Sequence, residues 1–155
     1  MRTTIHTLLT ATALGLATFA ATPPAAALAG EDATYTARFS NVAVGGYDPV
    51  SYFRGEGTKG SKAFTAEYQG AEYRFASADN LAAFEADPEA YAPQYGGYCA
   101  WAIAQGKLAP GDPEFAAVHD GKLYLNFNAD VQRTWNGDRD GFIQTANAQW
   151  PAILN

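Results

Sequence analysis

The chain has 155 residues, with 10 basic and 16 acidic side chains and a formal charge of −6. An acidic surface repels phosphate backbones, so nucleic acid is excluded as the natural partner, and the ordinary role of such charge is solubility. The length suits one domain around one core, and no internal repeat, charge block or change of composition divides the sequence.

Residues 1–29 read as a secretory leader. Arg2 supplies a small positive region, Leu8, Leu9, Leu14, Leu16 and Phe19 lie in an Ala/Thr-rich apolar stretch, and Ala27-Leu28-Ala29 offers a cleavage pattern. The rival reading is an uncleaved anchor, but the apolar run falls below the ~20 residues that a span needs. No twin arginine and no cysteine at the cut are present, which argues against the twin-arginine route and a lipid anchor. The expectation is a periplasmic or secreted protein with no membrane span after cleavage. Its mature domain runs over residues 30–155, and His119 is its one histidine.

Along that domain, Glu31 to Thr36 reads as a loose terminus. Gly45-Gly46 and Asp48-Pro49 are turn signals before a short extended run, Val50 to Phe53. Arg54 to Lys62 reads as a glycine-rich surface loop. Phe64, Ala66 and Tyr68 alternate with polar residues up to Gln69-Gly70, and Ala71, Tyr73 and Phe75 alternate on the return, which predicts a hairpin. Ser77 is the expected N-cap of a helix over Ala78 to Ala86, closed by Pro88. Gly96-Gly97 suits a close backbone approach at the start of a short buried helix over Tyr98 to Ile103, stopped by Gly106. Lys107 to Pro113 reads as a loop. Phe115 to His119 and Lys122 to Phe127 flank Asp120-Gly121, a hairpin signal. Asn128 is a cap for a helix over Ala129 to Trp135, and a last helix covers Gly141 to Trp150. Hairpins packed with short helices make a single small α+β domain.

Four ordered stretches carry a resemblance: Gly46-Tyr47-Asp48-Pro49-Val50-Ser51-Tyr52-Phe53, Tyr68-Gln69-Gly70-Ala71, Tyr73-Arg74-Phe75-Ala76-Ser77, and Asp87-Pro88-Glu89-Ala90-Tyr91. At these residues the chain resembles the YHS domain family, with a core motif over about 42–104. Tyr95-Gly96-Gly97-Tyr98-Cys99-Ala100, Asp120 to Asn126 and Trp150-Pro151 are similar to its exported branch, which extends the likeness over the hairpin and helices of 115–154. The resemblance implies an α+β fold and suspected metal binding, copper foremost, through cysteines. Here the corresponding positions are Ser51, Ala76 and Asn80, and Arg74 stands at the histidine of the family name. A four-thiolate site of the family type is therefore excluded, because hydroxyl and amide groups replace soft ligands poorly.

Four features remain that could carry chemistry. Cys99, the single thiol, stands at an expected helix N-terminus, where unpaired N–H groups and the dipole favour a thiolate ligand or nucleophile; a small buried core residue is the alternative. His119 is either a polar neighbour of its turn or a metal partner of Cys99. Asp48 either caps the turn it opens or lines a pocket with Tyr98 and Cys99. The tyrosine-rich half is either a hydrogen-bonded core or a pocket for a flat or cationic molecule. No serine-hydrolase elbow, C-x-x-C pair, zinc-protease helix or phosphate loop occurs. The expected function is a periplasmic binding protein, not an enzyme, taking a metal (copper) or a small ligand around Cys99. Cys99 and His119 would be the metal residues, and Asp48 and Tyr98 would line the site. A thiol-dependent redox or scavenging enzyme, and a structural or interaction module with Cys99 packed inside, are the alternatives.

Overall fold

Alternating side chains build the frame. In the computed structural model, which describes residues 30–155, the expected first hairpin pairs β3 (Ser61–Tyr68) with β4 (Ala71–Phe75) around Gln69-Gly70. Gln69 and Gly70 both take positive φ, as a tight two-residue turn requires. The second hairpin pairs β5 (Asp112–His119) with β6 (Lys122–Asn126) around Asp120-Gly121, also at positive φ. A third pair is short: β1 (Tyr47–Asp48) lies antiparallel to β2 (Thr58–Lys59). Among the described residues, three two-stranded sheets and five α-helices form an α+β fold.

Caps fix the helices. The Ser77 side chain accepts from Asn80 N–H and starts α1 (Ala78–Ala86), over the expected residues. Pro88 does not simply end that helix. Asp87 caps a further turn, α2 (Pro88–Tyr91), and Pro88 takes its first position, where a missing N–H costs nothing. Cys99 precedes α3 (Ala100–Ala104), whose five residues end before Gly106 at φ 68°. Asn128 caps α4 (Ala129–Asn136), as expected, and Asp138 caps α5 (Arg139–Gln149).

Four expectations are corrected. Val50 to Phe53 is not extended: Ser51–Arg54 is a 3-10 turn, because the Asp48 side chain gathers the N–H groups of Val50 and Ser51. The loops expected over Arg54 to Lys62 and Lys107 to Pro113 partly pair, as β2 and the starts of β3 and β5. Glu31 to Thr36 is not loose, since Glu31 N–H donates to Leu154 O at 2.8 Å and Tyr35 N–H to Gly96 O at 2.9 Å. Finally, the order left-handed turn, hairpin, capped helices occurs twice along the chain, although the sequence shows no obvious repeat; the short β1–β2 pair of the first half is matched in the second by the single bridge between Tyr98 and Pro110.

The apolar side chains gather into two clusters. Ala71, Tyr73 and Phe75 of β4 meet Phe84, Val50 and Val44 in the first; Tyr95, Tyr98, Ile103, Tyr124 and Trp135 form the second. Strand β6 serves both. Its Leu123 and Leu125 point into the first cluster and Tyr124 into the second, as the two-residue period of a strand dictates. Among the described residues no helix is long and apolar enough to cross a membrane. The leader assigned to residues 1–29 lies outside the described residues.

Candidate functional site

Asp48 sits at the end of β1 with no exposed surface. Its Oδ1 accepts from Val50 N–H at 2.8 Å and Ser51 N–H at 3.3 Å. Its Oδ2 accepts from Ala76 N–H at 2.9 Å and Asn80 Nδ2 at 2.5 Å. The Ser51 hydroxyl donates to Asp48 O at 2.6 Å and itself accepts from Thr58 N–H. A buried carboxylate held by four donors is a brace that ties the 3-10 turn, the end of β4 and the start of α1 together. Of the two roles open to Asp48, the cap is the one its bonds describe. Ser51, Ala76 and Asn80 are the positions at which the family resemblance puts cysteines. All three donate to the one carboxylate, Ser51 and Ala76 through their backbone N–H groups and Asn80 through its side-chain amide.

Cys99 is equally buried, at 0% exposure. It lies where the chain leaves a left-handed turn at Tyr95-Gly96-Gly97 and begins α3. Its N–H donates to Ala109 O at 2.9 Å, and its backbone bridges to Leu125 of β6. The N–H groups of Ala102, Phe127 and Trp101 face the sulfur and favour its anion, as a helix start should. Burial outweighs them: desolvation pushes the thiol above its ordinary value. The sequence-based expectation of a lowered thiol pKa is overturned for that reason.

His119 closes β5 with its side chain 22% exposed. Its Nε2 lies 2.8 Å from Asp140 Oδ1, in the first turn of α5, and 3.8 Å from Asp120 Oδ2. The ring stands edge-on to buried Trp135, at 6.2 Å between centroids. Ligand atoms of His119, Asp120 and Asp140 all lie within 4.8 Å of one another, the one such trio found among the described residues. They line a cleft of about 320 Å³ together with Lys122, Tyr124 and Asn147. Cys99 is not part of this group. Asp120 and Asp140 escaped the sequence reading. The second is 21 residues from His119 and on another element, and its position in the first turn of an Asp-capped helix was the available signal.

Tyr98 is 5% exposed and donates to Asp32 O at 3.0 Å, while its ring leans on Tyr35 and Trp150. It belongs to the aromatic core and borders a shallow surface cleft with Tyr35 and Leu108. The tyrosines are in large part core residues. Burial pushes the Tyr73 phenol up to about 12 and raises Tyr52 and Tyr95 further. A wider cleft of about 530 Å³ lies between the first hairpin turn and the C-terminal segment, lined by Tyr68, Gln69, Glu89, Tyr95, Lys122 and Trp150 among others.

No curated protein and no solved structure matches the chain. A scan against family models matches the YHS domain over residues 50–95. That segment runs from the 3-10 turn braced by Asp48 through the first hairpin and α1 to Tyr95, and all four residues that donate to the Asp48 carboxylate fall inside it. The likeness carried by the sequence motifs is thus matched by a family model, that of the YHS domain, over residues 50–95.

Proposed function

We propose that the protein is a binding module, not a catalyst, which holds one borderline divalent cation at His119, Asp140 and Asp120. Copper(II) is the first metal to test, on the family likeness, and zinc the second. The observation that carries the reading is the trio itself: one imidazole nitrogen and two carboxylate oxygens within 4.8 Å, on the wall of a cleft open to solvent. An imidazole with carboxylates suits copper(II) and zinc and offers nothing soft for copper(I). The edge contact with Trp135 orients the His119 ring, the kind of support that fixes a ligand's direction. Cys99 stays outside the site as a packed residue. In an exported chain a sealed thiol is also protected from oxidation and exchange.

Calorimetric titration of the full chain with copper(II) and with zinc(II) tests this. The expected result is one equivalent per chain, with affinity falling at least tenfold in His119→Ala and in Asp140→Asn. Cys99→Ala should keep both its fold and its stoichiometric uptake. Equal affinity in His119→Ala, or no uptake by the native chain, overturns the reading.

A further inference from the structure

The two halves of the chain superpose in sequence number without a gap, each partner lying 51 positions on, as Gly96 does from Gly45. Val44, Gly45 and Gly46 have φ of 51°, 57° and 80°; Tyr95, Gly96 and Gly97 have 55°, 60° and 86°. A bulky residue in that left-handed region is uncommon once, and here it recurs at the same step. Tyr47 then pairs with Lys59, and Tyr98 with Pro110. Both hairpins carry the same register shift, between Ser61 and Thr65 and between Asp112 and Ala116. Ser77 caps onto Asn80 N–H and Asn128 onto Val131 N–H, while Asp87 caps onto Ala90 and Asp138 onto Gly141.

We propose that residues 95–143 are a second, diverged YHS unit, equivalent position by position to residues 44–92. The family match covers only the first of them. The equivalence gives Cys99 a role: it is the second copy of Asp48. Asp48 accepts from the N–H groups of Val50, Ser51 and Ala76; the groups facing the Cys99 sulfur belong to Trp101, Ala102 and Phe127, each 51 positions on. The fourth donor, Asn80, is replaced by Val131. A charged acceptor with four donors has become a neutral thiol with three, and both members of the exchange lie on the same two positions. The buried pair Phe75 and Phe84 likewise corresponds to Asn126 and Trp135, whose buried side-chain nitrogen and oxygen atoms have no hydrogen-bond partner among the described residues.

The clefts obey the same offset. His119, Asp120 and Asp140 stand where Tyr68, Gln69 and Glu89 stand in the first unit, between a hairpin turn and the helix after the second cap. One architectural cleft is thus used twice, with an aromatic amide-rich lining in the first unit and a cation-binding lining in the second. This cleft assignment rests on the metal reading above; the equivalence of Asp48 and Cys99 does not.

A double-mutant cycle in the full chain tests the cap. Cys99→Asp alone and Val131→Asn alone should each lower the melting temperature, and the double variant should melt above Cys99→Asp, because the amide restores the fourth donor. Additive losses, or a double variant that fails to fold, overturn the equivalence. A graft tests the cleft: Tyr68→His, Gln69→Asp and Glu89→Asp together should raise copper(II) uptake from one equivalent to two, with the new site within tenfold of the native affinity. Uptake that stays at one overturns the equivalence of the clefts. If the native chain takes up none, the metal reading fails, and the Cys99–Val131 cycle still decides whether the unit is repeated.

Discussion

Replacing Asp48 by Ala strips the acceptor from four donors at once: the N–H groups of Val50, Ser51 and Ala76 and the Asn80 amide. Leaving one buried donor unsatisfied costs about 1–3 kcal/mol. Taking the low end for each, because Ala76 N–H is only part-buried and the backbone relaxes, gives a loss of about 4 kcal/mol. Small domains are stable by ~5–15 kcal/mol, so this single change removes a large share of the total. Asp48→Asn keeps one acceptor oxygen but turns an amide toward the other donors, and should cost about half as much. Urea unfolding followed by tryptophan fluorescence measures both, with Trp135 as the buried reporter. Glu56→Ala, on an exposed residue of the neighbouring loop, serves as the control and should stay within about 0.5 kcal/mol of the native chain. A loss below about 1 kcal/mol in Asp48→Ala would refute the brace.

Other outcomes follow from the same geometry. Native Cys99 should resist iodoacetamide at pH 8 and become reactive in proportion to the unfolded fraction across a urea series; rapid alkylation without denaturant would show an open path to the sulfur. The Tyr73 phenol holds its proton to about 12 in the folded chain, against 10.0 ordinarily. Folding therefore gains from the protonated phenol below pH 10, and that gain is lost between pH 10 and 12. An absorbance titration should show a cooperative, unfolding-linked phenolate step at high pH, and smooth titration of every tyrosine near 10 would contradict it. Asn128→Ala and Ser77→Ala each remove an N-cap and should cost about 1 kcal/mol, read by chemical denaturation. Lys122→Ala removes a positive charge from the wall of the His119 cleft and should raise copper(II) affinity about twofold to fivefold at low salt.

Local signals were the legible ones. Gln69-Gly70 and Asp120-Gly121 announced both hairpins, and Ser77 and Asn128 announced their helices, because turn and cap chemistry acts within four residues. Val50-Ser51-Tyr52-Phe53 misled, since its residue types favour extension while one buried side chain, Asp48, overrides them. Glu31 to Thr36 misled because its partners, Gly96 and Leu154, are distant in sequence. For Cys99 the sequence gives the helix start that favours an anion, but only the packing shows that desolvation prevails. The trio at His119 depends on Asp140 being carried round by α4 and α5, which no spacing rule states. The 51-residue period stayed hidden because what it preserves is turn geometry, through pairs such as Gly46 and Gly97 or Gly70 and Gly121, while core side chains such as Val44 and Tyr95 or Phe84 and Trp135 differ.

Strand β6 gives this architecture its unity. It is made by the second half of the chain, yet Leu123 and Leu125 floor the hydrophobic interior of the first. A cut near Pro93 would leave one fragment with an open apolar wall and the other with leucines bared to water. The halves are therefore obligate companions: neither should persist by itself, heat should melt them in one step, and mixing separately expressed pieces should restore what each lacks.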